Sequence, residues 1–210
     1  TQTVVEYSRQ CAKFLTSQDV KLIVIACNTA SALALDVVQD MVDVPVIGMI
    51  NPAAKAALIS SQNSRIGVIG TRATIESKAY QNEIFSLSEN SDCEVFSKAC
   101  PLFVPLVEEG MLRHEVTRKI AEEYLGEFQA HAIDTLVLGC THYPLLKQII
   151  SEILPNVCLI DSGEHAAIKA IRVLAESGLL ADEEFKLSSQ PKIEFYVTDV
   201  PNTFFDIANI

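Results

Sequence analysis

Leu22-Ile23-Val24-Ile25-Ala26-Cys27-Asn28-Thr29 and Thr135-Leu136-Val137-Leu138-Gly139-Cys140-Thr141-His142 are the two stretches that decide the fold. Each reads as a short apolar run, a small residue, a cysteine and a polar pair. Neither run alternates apolar with polar, so each is expected to be a strand buried on both faces, as in a parallel sheet. They lie about one domain length apart, which points to two related α/β halves.

Working outward, strands and helices alternate. Thr3 and Glu6 form a capping box ahead of a helix reaching about residue 17, with Val4, Cys11 and Phe14 or Leu15 on its inner face. After the first strand, over 22–27, a helix is expected over 29–41, a strand over 44–50, a helix over 52–60, a strand over 65–70 and a helix over 74–87. A strand over 93–99 and a loop over 100–105 follow. Val116, Ile120, Tyr124 and Phe128 then mark an amphipathic helix. The second cysteine-bearing strand, 135–139, leads to a helix from near Pro144, a strand over 157–160 and a helix over 164–177. A polar loop through residue 190 and a strand over 193–198 close the reading. This order is that of an α/β protein with mainly parallel sheets.

The totals exclude several classes of protein. With 210 residues, 49% hydrophobic and 20% charged, the chain can bury a large core. A net charge of -11 argues against nucleic acid as a partner. Arg113, Arg118 and Lys119 form the nearest thing to a basic patch, but Glu115, Glu122 and Glu123 share their helix and make it a solvated face. The apolar runs are strand length, far short of the roughly 20 residues of a membrane span. No basic-then-apolar leader opens the chain, Thr1 is not a start residue, and the cytoplasm is the expected compartment.

The six cysteines are expected to be reduced thiols rather than a disulfide frame. There is no CxxC and no zinc-type array, and Cys140 with His142 supplies too few ligands, so no metal is implied. Cys27 and Cys140 fall at the carboxyl ends of strands, where open parallel sheets bind ligands and helix N-termini aim N–H groups outward. That setting is expected to favour the thiolate, lowering the pKa from about 8.5. Cys11, Cys93, Cys100 and Cys158 lack it and are expected to be buried small hydrophobes.

Two thiols facing one carbon suit racemisation or epimerisation, one taking a proton as thiolate and the other returning one from the opposite side. The alternative, a nucleophilic cysteine, needs a histidine and acid partner. His142 could serve Cys140 in that role, leaving Cys27 unexplained. Asn51, Thr71 with Arg72, and Asp161-Ser162-Gly163 mark the other strand ends, where hydroxyls and backbone N–H groups could hold carboxylates. Thr74 and Ser162 read equally well as helix N-caps.

Ala26-Cys27-Asn28-Thr29-Ala30-Ser31 and Gly139-Cys140-Thr141-His142-Tyr143-Pro144-Leu145 resemble the two cysteine motifs of the glutamate racemase family, among the cofactor-independent aspartate and glutamate racemases. Gly67-Val68-Ile69-Gly70-Thr71-Arg72-Ala73-Thr74 and the stretch from Cys100 to Glu108 resemble family segments in the same order. The resemblance implies exchange of L- and D-glutamate without a cofactor, supplying D-glutamate for peptidoglycan. It implies that Cys27 and Cys140 are the acid/base pair, that His142 assists Cys140 and that Glu108 supports the proton balance. It further implies that Asn28, Thr29, Thr71, Thr74 and Thr141 hold the substrate's carboxylates or amino group. A homodimer is implied, as are two similar three-layer domains related by a pseudo-two-fold axis: 1–50 with 166–210, and 51–165, with the active site between them. In the family an N-terminal strand ends in Asp-Ser-Gly and a Pro-Tyr-Gly loop follows. Neither precedes Thr1 here, and Asp161-Ser162-Gly163 is a different segment. On that account a catalytically silent acid-binding module stands as one alternative, and a racemase or isomerase of another small acid, of the aspartate or maleate type, as a second. A Cys27–Cys140 redox sensor is a third.

Overall fold

Residues 1–89, 92–181 and 192–198 are described by a computed structural model. The chain opens with α1 (Gln2–Thr16), β1 (Ile23–Ile25), α2 (Asn28–Gln39) and β2 (Val46–Gly48). β1 and β2 pair in parallel, with Ile23 opposite Val46 and Ile25 opposite Gly48. Ile23 and Val46 point into a cluster with Ala12 and Val38 under α1 and α2. From the next position along β2, Ile47 points to the other face, where it meets Met49.

Three expectations fail in this region. The capping box does not form, because α1 already begins at Gln2, behind a Thr1 whose side chain makes no cap bond. The inner face of α1 is rotated by one residue: Ala12 is buried, while Cys11 is exposed. β1 is also not covered on both faces, since Val24 is 40% exposed.

The second sheet is larger. α3 (Ile50–Ser60), β3 (Arg65–Gly70), α4 (Arg72–Glu76), α5 (Ala79–Leu87), β4 (Glu94–Ala99), α6 (Phe103–Glu108) and α7 (Glu115–Ala130) lead to β5 (Thr135–Gly139). A 3-10 turn (Tyr143–Leu146), α8 (Lys147–Ile153), β6 (Cys158–Asp161) and α9 (Ser162–Glu176) follow. Four strands lie parallel in the order β4-β3-β5-β6. Both faces of the sheet are covered. Leu136 and Leu138 pack with Phe103, Leu125, Phe128 and Tyr143, whereas Val137 joins Ile66, Val68 and the alanines of α3 on the opposite side. This two-sided burial is why β5 reads as an unbroken apolar run. α9 carries the chain back toward the small sheet, where Ala166 meets Ile47 and Met49.

Because the connection from β3 runs outward to β4 and that from β5 runs outward to β6, the strand order reverses between β3 and β5. Their carboxyl ends flank the crevice where open α/β sheets take ligands. Thr71 follows β3 and Cys140 follows β5.

Other departures have local causes. The helix expected over 74–87 is two helices, broken at Lys78, which takes a left-handed conformation with φ 56°. The loop expected over 100–105 gives way to α6. Pro105 sits in the first turn of that helix, where its missing N–H leaves no bond unmade. α9 starts at Ser162 because the Asp161 carboxylate accepts from the N–H groups of Gly163 and Glu164. Residues 193–198 form no strand and are exposed, and residues 182–190 of the expected polar loop lie outside the described residues. Among the described residues no helix is long and apolar enough to cross a membrane.

Candidate active site

Cys27 is the N-cap residue of α2, in extended backbone, and is exposed to solvent. The turn that presents it is held by Ser31, whose hydroxyl donates to Ile25 O at 2.7 Å and accepts from Met49 N at 3.1 Å. Next to Cys27, Asn28 is buried. Its Oδ1 accepts from the Tyr80 hydroxyl at 2.6 Å and its Nδ2 donates to Ser162 Oγ at 3.1 Å. Thr29 meets Thr71 and Thr74 at 2.8 and 3.0 Å, and those two are 3.0 Å apart, so three hydroxyls form a closed triangle between the two sheets.

The N-cap readings of Thr74 and Ser162 shift by a few residues. Thr71 is the cap, accepting from Thr74 N, and Asp161 caps α9. Ser162 instead donates its hydroxyl proton to Leu138 O at 3.2 Å.

Cys140 has a different setting. It lies at a bend before the four-residue 3-10 turn and is only 6% exposed. Burial pushes its thiol pKa up. The His142 and Tyr143 N–H groups and the Thr141 side chain pull the other way, while the charge of nearby Cys27 adds to the rise. The expectation of a lowered pKa is therefore overturned for Cys140: a single 3-10 turn offers few aligned N–H groups, and desolvation of the sulfur outweighs them.

His142 lies between Cys140 and Glu108. Its Nδ1 is 3.8 Å from the Cys140 sulfur and 3.5 Å from Thr141 Oγ1, and its Nε2 is 3.2 Å from Glu108 Oε1. With the imidazole proton on Nε2, donated to the carboxylate, Nδ1 is free to accept from the thiol. The Glu108 side chain is 48% exposed, yet it is within hydrogen-bonding distance of this histidine.

The sequence-derived residues thus gather in two groups: Asn28, Thr29, Thr71 and Thr74 around the head of α2, and Cys140, Thr141, His142 and Glu108 around the end of β5. The bonds from Asn28 to Ser162 and from Ser162 to Leu138 tie the two groups together. Tyr80 was not foreseen, because a tyrosine on a helix carries no motif.

Of the other cysteines, Cys100 is buried as expected and its pKa is pushed up by desolvation. Cys11 and Cys158 are exposed and Cys93 is half-buried, contrary to expectation. Cys158 begins β6, the edge strand of its sheet, which explains its access to solvent. Among the described residues no three His, Cys, Asp or Glu side chains converge as metal ligands would. A cavity of about 250 Å3, lined by Asn51, Lys55, Ile59, His165, Lys169 and Arg172, lies between α3 and α9 and includes neither Cys27 nor Cys140.

Two strand-end thiols, one open and one buried with a histidine and a carboxylate in line, mark the candidate site of this α/β protein. Residues 2–170 match the family model of Asp/Glu/hydantoin racemases, and the chain belongs to that family. It is 47% identical to the glutamate racemase of Aquifex pyrophilus, over 93% of this chain and 75% of that protein. It is 48% identical to that of Chlorobaculum tepidum, over 98% of this chain and 74% of the relative. The crystal structure of glutamate racemase from Francisella tularensis in complex with D-glutamate matches with a TM-score of 0.89 and 40% identity, over 99% of this chain and 75% of that one.

Proposed function

We propose that this chain interconverts L- and D-glutamate by passing the α-proton between two thiols, with no cofactor. The observation that carries the reading is the hydrogen-bonded path from Asn28, next to Cys27, through Ser162 to Leu138, two residues before Cys140, which joins the two cysteine-bearing turns at one crevice.

In one direction the Cys27 thiolate takes the α-proton and becomes a thiol. Negative charge spreads from Cα onto the substrate carboxylate, and the Cys140 thiol then delivers its proton to the opposite face of the carbon, ending as thiolate. In the other direction the roles reverse. His142, backed by Glu108, then draws the proton from the buried Cys140 sulfur. The hydroxyls of Thr29, Thr71, Thr74 and Thr141 and the amide of Asn28 supply donors for the substrate's carboxylates. Donors aimed where charge develops lower the barrier in the transition state.

The division into 1–50 with 166–210 and 51–165 belongs to this proposal, supported by the return of α9 to the small sheet. So do a homodimeric assembly, a cytoplasmic location and the supply of D-glutamate for peptidoglycan, each following from the kinship with glutamate racemases.

The test is proton NMR of L-glutamate with the protein in deuterium oxide, followed together with optical rotation. Loss of the α-proton signal in step with racemisation is the expected result. Retention of the signal would overturn the reading in favour of an acid-binding module, and exchange of aspartate but not glutamate would assign a sister racemase.

A further inference from the structure

Tyr80 belongs to neither cysteine motif and lies on α5, yet it touches the neighbours of both thiols. Its ring lies against Gly139, the residue before Cys140: a methyl group at position 139 would come 3.0 Å from Cε2 of Tyr80. Its hydroxyl donates to Oδ1 of Asn28, the residue after Cys27, at 2.6 Å. From Asn28 the path continues through Nδ2 to Ser162 Oγ at 3.1 Å, and from Ser162 to Leu138 O at 3.2 Å, two residues before Cys140. Tyr80, Asn28 and Ser162 are all buried, at 1, 2 and 1% exposure.

A carboxamide bonded at both ends by buried hydroxyls cannot flip without leaving polar atoms unpaired away from water. Asn28 is thereby fixed in rotation, and the backbone that carries Cys27 is fixed with it. Burial also pushes the Tyr80 pKa far up, so the phenol remains a donor at any working pH. The ring sets the distance to the β5 end and the hydroxyl sets the distance to the α2 head.

We infer that Tyr80, seconded by Ser162, is a positioning residue that fixes how the Cys27 and Cys140 sulfurs face one another. The inference rests on the two-thiol reading above and deepens it. Two bases acting on opposite faces of one carbon have little tolerance for drift, and a displacement of about 1 Å can cost roughly 100-fold in rate.

The experiment compares wild type with Tyr80→Phe, which keeps the ring on Gly139 and removes only the hydroxyl, with Ser162→Ala, and with the double variant. Three quantities are read: kcat and KM for glutamate in both directions, the urea midpoint, and the rate at which diamide bridges Cys27 to Cys140, mapped by peptide mass. Tyr80→Phe is expected to lower kcat at least about tenfold in both directions, with KM nearly unchanged and bridging slowed to a similar degree. Ser162→Ala is expected to act in the same sense but less, and the double variant to resemble Tyr80→Phe, because both hydroxyls act through one carboxamide. A lowered urea midpoint with wild-type kcat and wild-type bridging would overturn the inference and leave Tyr80 a structural residue. Should Tyr80→Phe fail to fold, Ser162→Ala decides on the same readings. A wild-type protein that does not racemise glutamate sinks the functional reading, while the bridging rates still decide whether Tyr80 sets the thiol geometry.

Discussion

Cys27 stands exposed at the head of a 12-residue helix, whereas Cys140 is 6% exposed behind a four-residue 3-10 turn with His142 and Glu108 in line. Ala26 precedes the first, and Gly139 the second. The two units carry the same kind of sequence and, on the proposed reaction, the same duty of giving and taking one proton. What differs is where that proton goes next. An exposed sulfur exchanges directly with water, but a buried one needs a protein group to relay its proton. Among the described residues, His142 and Glu108 stand in line with the buried Cys140.

Replacing the thiols is the severest way to break this comparison. Cys27→Ser and Cys140→Ser should each lower racemisation about 1000-fold, within the range of general acid–base effects. In deuterium oxide each variant should still exchange the α-proton of one enantiomer, and a different one in each case. A Cys27→Ser protein that racemised normally would instead show Cys140, His142 and Glu108 working without a second thiol.

Removing the relay tests the asymmetry itself. His142→Asn should lower kcat roughly 10- to 100-fold, more in the direction that uses Cys140 as base, with KM shifting so that kcat/KM falls equally both ways, and Glu108→Gln should cost only a few-fold. Because burial raises the Cys140 pKa, its thiolate accumulates only as pH climbs. The kcat in that direction should therefore rise with pH into the alkaline range. Equal losses of kcat in the two directions would remove the distinction between the units.

The residue before each cysteine offers a milder probe. A Cβ at Gly139 would lie 2.6 Å from the carbonyl oxygen of Ile69, on the neighbouring strand, so Gly139→Ala should destabilise by about 2 kcal/mol. Ala26→Gly, in the exposed partner turn, should cost less than about 1 kcal/mol. Urea midpoints compare the two directly.

At the opposite end of β5, Asp134 secures the start of the Cys140 strand. Burial alone would raise its pKa, but bonds from Ser61, Asn63, Gln62 and Thr135 bring it below the ordinary 3.8. A carboxylate with a lowered folded pKa stabilises the protein above its unfolded value, and that contribution fades as pH falls through the folded one. Asp134→Asn should cost about 1 kcal/mol at neutral pH, with the gap to wild type closing below pH 3.8. Urea titrations at several pH values check this, and racemisation should be unaffected.

Much of the architecture was legible because β3 and β5 are continuous apolar runs between polar flanks, and both strands span the residues expected of them. What escaped had no local signature. The break at Lys78 uses a left-handed lysine where a glycine would have announced it. α6 was masked by Pro101 and Pro105, which read as a loop until the second is seen in a first helical turn. At the site, both cysteines were legible as strand-end residues, but burial is a tertiary property, so the direction of the Cys140 pKa was not. The pairing of His142 with Glu108 spans two elements distant in sequence, and only the family resemblance brought Glu108 forward. Tyr80 carried no signal at all: its importance lies in what its two ends touch.

The triangle of Thr29, Thr71 and Thr74 has a bearing on affinity. Three hydroxyls carry three protons, and when each donates to the next the ring closes with no donor to spare. A carboxylate brings only acceptors, so for these threonines to hold one, at least one link must open and turn a proton toward the newcomer. Binding there is a trade of one hydrogen bond for another, and the ring reseals when the guest departs. Such a receptor favours release as much as capture, as befits a catalyst whose substrate and product are mirror images and must leave equally well.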